Sequence, residues 1–342
     1  MNILDMTKPE LERQLTAMGI QRFRADQIYH HIYKEKTFSV SQMLNLSKAT
    51  IRLLENQNID VEMPTILAKQ SSADGNTIKL LLELEDGHTV ETVLMKHTYG
   101  NSVCVSSQVG CAMGCEFCAS TKNGFIRNLT SGEMVAQLLA FKYEGIKAIH
   151  SVVIMGTGEP LLNYDNVLHF IHHIHQKESF NLGYRRITLS TSGIIPGIYQ
   201  LAEENIPITL AISLHAPFAE LRSRLMPINK TFGVEAVIAA ADHYFEATCR
   251  KITYEYILIQ GVTCTKACAE KLASLLAGKN CNVNLIPINA TKEADLKRPS
   301  EKEIDAFEGY LKEQGINTVL RREMGSDIQA ACGQLRIQHG KD

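Results

Sequence analysis

Apolar positions along the chain recur with a period that changes from region to region, and the changes divide it. Up to about residue 60 the spacing is helical: Leu11, Leu15 and Met18, then Ile28, Ile32 and Tyr33, broken by polar turns such as "KEKTFS". A small helical module is expected there. The next stretch, "MPTILAKQSSADGN", reads as a linker. From Thr77 to Met95 the pattern is that of strands, "TIKLLLEL" and "TVETVLM" around Asp86 and Gly87, which predicts a β-hairpin.

Beyond the hairpin, β-branched apolar runs alternate with longer helical stretches. The strands expected are 102–107, 150–155, 185–190, 207–213, 251–259 and 283–288. Thr130 with Glu133 makes a capping-box pattern ahead of Met134, Leu138 and Phe141. Strands joined by crossover helices imply a parallel sheet, either an incomplete β/α barrel or an open sheet. In such barrels functional residues gather at the carboxyl ends of strands. Here those ends read "SSQVGC", "GTGEP", "STSG", "SLH" and "IN", polar or glycine-rich in each case.

Composition narrows the class. Hydrophobic residues at 45% and charged residues at 21% of 342 predict a folded, soluble chain. The start, "MNILDMTKPELERQL", lacks the apolar core of a signal peptide, and no apolar run is long enough to span a bilayer, so a cytoplasmic protein with no membrane partner is expected. In that compartment nine cysteines point to metal or redox chemistry plus buried thiols. A net charge of -2 excludes a generally basic polyanion binder, leaving local pairs at Arg22/Arg24, Arg185/Arg186, Arg222/Arg224 and Arg321/Arg322, each readable as a solvated surface pair.

The chemistry concentrates in "QVGCAMGCEFCAS", where Cys111, Cys115 and Cys118 have the spacing C-x3-C-x2-C. Three thiolates are one ligand short of tetrahedral zinc or a fully protein-held cubane, so either a distant residue such as Cys104 or His97 completes the site or a position is kept open for a substrate. Glu159 in "MGTGEP" offers a carboxylate to an ammonium beside glycines that let a ligand approach. The histidines of "HFIHHIH" read as a polar helix face, and Cys264 and Cys268 of "CTKAC" as buried thiols.

The cysteine loop resembles that of the radical S-adenosylmethionine (SAM) superfamily, in which three cysteines hold a [4Fe-4S] cluster and SAM takes the fourth iron. Together with "GFIRNLT", "GTGEPLLN", "LSTSGIIP", "SLHAP", "LMPIN" and "AACGQL", the chain resembles the RlmN/Cfr family of adenosine methyltransferases from about Glu91 to Leu335. The resemblance implies a partial (β/α)6 barrel at 99–300, preceded by a helical RNA-recognition domain and linker at 1–75 and a hairpin at 76–98, and followed by a carboxyl-terminal extension at 301–342. It implies Gly158, Glu159, Ser190, Ser213, Leu214, His215 and Asn289 as SAM contacts, and two SAM molecules per turnover.

In the mechanism that the resemblance implies, Cys332 takes a methyl group from one SAM. A second SAM is cleaved to a radical that removes hydrogen from that methyl, and the carbon radical adds to adenine. Cys104 then attacks the sulfur of Cys332 and leaves a disulfide, while Glu91 accepts the ring proton. By bottom-up pattern alone Glu91 would be a solvent-facing strand residue. "GEPLLN" is similar to the carbon-2 branch rather than the carbon-8 branch, with Thr157 standing where Met is common. The implied partners are 23S rRNA, before full ribosome assembly, tRNA, and a flavodoxin or ferredoxin as electron donor, for a monomeric enzyme. Arg22, Phe23, Arg24 and Tyr29 are expected to contact RNA. A non-catalytic iron-sulfur or zinc RNA-binding protein is the rival class.

Overall fold

The computed structural model describes residues 1–121, 124–288, 296–321 and 324–328. The amino-terminal periodicity becomes α1 (Lys8–Ala17), α2 (Arg24–His30) and α3 (Lys48–Asn56), with Leu11, Leu15, Ile28 and Ile32 buried. Glu10 reaches back to the Thr7 amide, closing a capping box at the start of α1.

The stretch read as a linker is instead β1 (Thr65–Ser71), antiparallel to β2 (Thr77–Glu83). It is an edge strand with most residues exposed, so the burial that would make a strand legible is missing from its sequence. The expected hairpin is present: β2 pairs with β3 (Thr89–His97) across a turn in which Gly87 has φ +80°.

β4 (Gly100–Cys104) is antiparallel to β3, and from it the sheet continues parallel. A short ribbon of β5 (Gln108–Gly110) with β6 (Phe125–Asn128) and then α4 (Ser131–Tyr143) intervene before β7 (Ser151–Ile154). There follow α5 (Tyr164–His175), β8 (Ile187–Thr191), α6 (Ile195–Glu203), β9 (Thr209–Ser213), α7 (Ala219–Leu225), α8 (Val234–Thr248), β10 (Ile252–Leu258), α9 (Lys266–Leu276) and β11 (Cys281–Pro287). The six expected strands are thus all found in order. α10 (Glu301–Glu313) and β12 (Asn317–Leu320) carry the alternation one unit further, β12 lying parallel to β11 within the region expected to be an extension.

The ten strands run β1-β2-β3-β4-β7-β8-β9-β10-β11-β12. Among the described residues no ladder joins β12 to β1, so the barrel is partial. The Ala73 amide donates to Asp327 Oδ2 at 2.8 Å across the seam.

The amino-terminal helices sit on α4 and α5. Asp5 accepts from the Gly132 amide at 2.6 Å, an approach so close that a Cβ on Gly132 would lie 2.7 Å from Asp5 Oδ1. His169 bridges Ser131 and Glu10, and His173 Nε2 shares a hydrogen bond with the Tyr33 hydroxyl at 2.7 Å. The histidine-rich segment is therefore no solvated face. His173 is fully enclosed because the helical module covers that side of α5. Tyr29, expected to face RNA, is also enclosed and donates to Met6 O. Arg22, Phe23 and Arg24 remain at the surface, with the Arg24 guanidinium 4.7 Å above the Phe23 ring.

Candidate active site

The cysteine loop hangs between the strands of the β5–β6 ribbon. The Cys111 amide donates to Gly124 O at 2.9 Å, and the turn into the loop needs Gly110, where φ is +72° and a Cβ would meet Gly124 O at 1.9 Å. On its other side the loop rests on α7: the Glu116 amide donates to Leu225 O at 2.9 Å, and Arg224 pairs with Glu116. This seating turns Cys111, Cys115 and Cys118 into the wall of one pocket of about 170 Å³.

The ends of the parallel strands supply the rest of that wall. Gly156, Gly158 and Glu159 follow β7, Ser190 to Ser192 close β8, and Ser213 and His215 end β9. Gly158 has φ +116°, and a Cβ there would lie 2.7 Å from Gln108 Cβ, so only glycine lets the loop pass. Gln108 Oε1 takes the Glu159 amide at 2.9 Å. The Glu159 carboxylate, enclosed, accepts from Ser192 N–H at 2.7 Å and Leu161 N–H at 3.1 Å. Burial pushes its pKa up, and those donors pull it back towards the ionised form. The Ser190 and Ser213 hydroxyls lie 3.4 Å apart. His215 sits at φ +58° with its ring edge-on to Phe117 at 4.8 Å, and burial drives its pKa down to about 3, so the imidazole is neutral.

Leu214 is not brought to the pocket wall. Its side chain is in the core and its carbonyl accepts from Arg222 Nε. Thr157 also points elsewhere: its hydroxyl donates to Ser120 Oγ at 3.3 Å, tying the "GTGEP" turn to the cysteine loop. Asn289 and Cys332 lie outside the described residues.

A second cavity, of about 1020 Å³, shares Cys118, Met155, Gly156 and Glu255 with the first. Cys104 lines it from the end of β4, packed with Val93, Met95, Met155 and Ile328. Glu91 is on the same face of the sheet as Val93, but it is enclosed, with Lys79 Nζ 3.1 Å from its carboxylate, and not the solvent-facing residue that strand alternation alone suggests. Its backbone oxygen accepts from Ser106 Oγ at 2.7 Å.

Two site residues were not singled out as such by sequence. Glu255, in the middle of β10, lines both cavities, holds Asn284 at 2.9 Å and lies 3.7 Å from Arg321. The legible signal was a carboxylate inside the apolar run "ITYEYIL" of a central parallel strand. Arg222, read as half of a surface pair, is fully buried below the pocket. Only its tertiary surroundings show this, since α7 is too short for a clear buried stripe.

The donor set fits a three-cysteine cluster better than zinc. The thiols share a pocket, yet among the described residues no set of three or more histidine, cysteine or acidic groups is gathered to hold a single ion. One thiolate per iron is what a cubane requires, whereas zinc needs convergence. Burial pushes the Cys111 thiol up to about 11 and Cys115 further, so thiolates here call for a bound cationic partner. The other candidates are occupied otherwise: Cys264 and Cys268 sulfurs face Glu303 O and Val262 O, and His97 stacks on Tyr99 at 4.6 Å.

Comparison with known proteins agrees with this geometry. Residues 105–265 match the radical SAM superfamily, and residues 1–59 match the ribosomal RNA large subunit methyltransferase N-terminal domain. The chain is 47% identical over 339 residues to a Desulforamulus reducens protein named "Probable dual-specificity RNA methyltransferase RlmN", covering 99% of this chain and 97% of that one. A Staphylococcus aureus protein of the same name is 48% identical over 341 residues, covering 98% and 93%. The crystal structure of a radical SAM methyltransferase from Sphaerobacter thermophilus superposes with a TM-score of 0.94 at 44% identity, covering 98% and 99%. With its three-cysteine loop at the mouth of a partial barrel and its relatives matched nearly end to end, the chain belongs to the RlmN family of radical SAM RNA methyltransferases, which use a [4Fe-4S] cluster and SAM.

Proposed function

We propose that this chain methylates carbon 2 of an adenine in 23S rRNA and of the tRNA adenosine beside the anticodon, by way of a methylated Cys332. The observation that carries the reading is the placement of Cys104. It lines a cavity together with Cys118, and against it packs Ile328, four residues ahead of Cys332 in the sequence. "GEPLLN" favours carbon 2 over carbon 8.

When bound, the cluster and SAM supply the one-electron chemistry and the one-carbon unit. Cys111, Cys115 and Cys118 hold the cluster. Glu159, its oxygens already aimed by two backbone amides, receives the SAM ammonium, while Ser190 and Ser213 offer hydroxyls and Gly158 clears the approach. Neutral His215 presents an uncharged wall. Asn289 completes the SAM set proposed here, with Leu214 supporting it from the core, its carbonyl held by Arg222. Glu91 takes the proton from the ring carbon, and Lys79 stabilises the carboxylate that does so. Cys104 is the thiol that releases the product from Cys332.

Since the adenine has to leave its stack to enter the barrel, the substrate is unpaired or locally opened RNA, bound before the ribosome is fully assembled. Arg22, Phe23 and Arg24 form an exposed cationic and aromatic patch on the helical domain for that RNA. A flavodoxin or ferredoxin supplies electrons to a monomeric, cytoplasmic enzyme. No helix among the described residues is long and apolar enough to cross a membrane.

The test is an anaerobic reaction of reconstituted protein with SAM, a reductant and either a 23S rRNA transcript or tRNA. The expected result is 5'-deoxyadenosine together with 2-methyladenosine in the RNA digest, and, for Cys104→Ala, protein that stays covalently attached to RNA. 8-Methyladenosine, or no RNA modification despite SAM cleavage, would refute the assignment.

A further inference from the structure

Arg222 has no task in the chemistry above, yet it is the most completely buried cation beside the pocket. Its side chain is fully enclosed. Nε donates to Leu214 O at 3.1 Å, Nη1 to Asn229 Oδ1 at 3.1 Å and Phe232 O at 3.2 Å, and Nη2 to Ser192 O at 2.7 Å and Ser213 O at 3.2 Å. None of these partners is a carboxylate. Enclosing a guanidinium without an anion is costly, and neutral acceptors offset the lost hydration without cancelling the charge. Burial lowers its pKa to about 10, which leaves it cationic at neutral pH.

The position of this charge suggests what balances it. Two of the carbonyls that it holds belong to Ser192 and Ser213, pocket residues at the ends of β8 and β9. Its helix, α7, is also the seat of the cysteine loop, through the Glu116 amide on Leu225 O. Cys115 packs against the same apolar cluster as Leu225 and Leu221. Of the other titratable groups lining the pocket, His215 is neutral, Glu159 and Glu255 are carboxyls, and the cation Arg321 lies at the partly exposed rim, 3.7 Å from the Glu255 carboxylate.

We infer that Arg222 is a positioning residue that also acts as the built-in counter-charge of the iron-sulfur centre, making its one-electron reduction by an external low-potential donor easier. The inference rests on the cluster assignment above. Three thiolates make the centre anionic, and each added electron makes it more so. A fixed positive charge in a poorly polarisable interior therefore favours the reduced form over the oxidised one. Fastening Ser192 and Ser213 with the same fork couples the shape of the SAM pocket to that charge.

Two variants separate charge from scaffolding, measured on anaerobically reconstituted holoenzyme by EPR-monitored redox titration, with and without SAM. Asn229→Asp puts a carboxylate where Nη1 now donates, cancelling the charge while Arg222 stays in place. It is expected to lower the ratio of reduced to oxidised cluster at a fixed potential about tenfold, ~59 mV for a one-electron couple. Arg222→Lys keeps the charge and loses most of the fork, so it should hold the ratio within about twofold of wild type while weakening SAM binding. A wild-type ratio in Asn229→Asp protein that is folded and carries full iron, or a fall in Arg222→Lys as large as in Asn229→Asp, would overturn the inference. Iron and sulfide content of the wild-type protein distinguishes this from failure of the functional reading: if no cluster assembles on the three cysteines, the assignment of the site itself is wrong.

Discussion

At the scale of single residues the site depends on backbone shape as much as on functional groups. Gly158 is the sharpest case. A methyl group there meets Gln108, and Gln108 holds the Glu159 amide, so the strain is passed directly to the carboxylate proposed to receive SAM. Gly158→Ala should weaken SAM binding at least tenfold by calorimetry, with the cluster still assembled, and binding within twofold of wild type would contradict this. The glycines and cysteines were legible because their chemistry requires particular residue types at fixed spacing. Glu91 was not legible from its pattern. Alternation along β3 makes it look solvent-facing, and only the packing of β2 alongside shows that Lys79 accompanies it into the interior. Arg222 was misread for a related reason: a buried arginine held by carbonyls leaves no local mark in sequence.

At the scale of elements the informative contact is between α5 and the amino-terminal module. His173 on α5 is enclosed, with the Tyr33 and Tyr29 hydroxyls 2.7 Å and 3.3 Å from Nε2, and burial lowers its pKa from 6.5 to about 3. Between these values the unfolded chain binds a proton at this site and the native one does not. Its contribution is therefore fully present above pH 6.5 and is lost as pH falls towards 3, about 2 kcal/mol by pH 5. His173→Gln should flatten the decline of stability between pH 7 and 5 in urea denaturation, and an unchanged slope would show that the acid sensitivity arises elsewhere. The elements themselves were readable where burial is thorough. The six central strands are continuous β-branched runs because helices or the barrel interior cover them. β1 and β12 escaped notice because they are edge strands, the first mostly exposed and the second only Asn317–Leu320 long.

At the scale of the whole molecule the sheet begins antiparallel, becomes parallel at β4 and stops without closing. Strands in its middle have ladders on both sides, whereas among the described residues β12 has one, to β11, over the register Asn282↔Asn317 to Leu285↔Leu320. Amide hydrogen exchange should accordingly be faster for Thr318, Val319 and Leu320 than for Leu210, Ala211 and Ile212 in β9, and equal protection in the two strands would count against an open seam. The helical module docks on α4 and α5 through Asp5 on Gly132 and through His169 on Glu10.

The contact between the Ala73 amide and Asp327 has a further consequence. It makes the two ends of the described sheet into facing jambs of a doorway, with this contact as a latch between them. Under the function proposed above, the segment that carries the methyl-accepting thiol follows this latch in the sequence and would meet an opening there instead of a continuous wall. A closed cylinder would deny it that opening, so the unfinished ladder among the described residues suits the two-stage chemistry proposed for this chain.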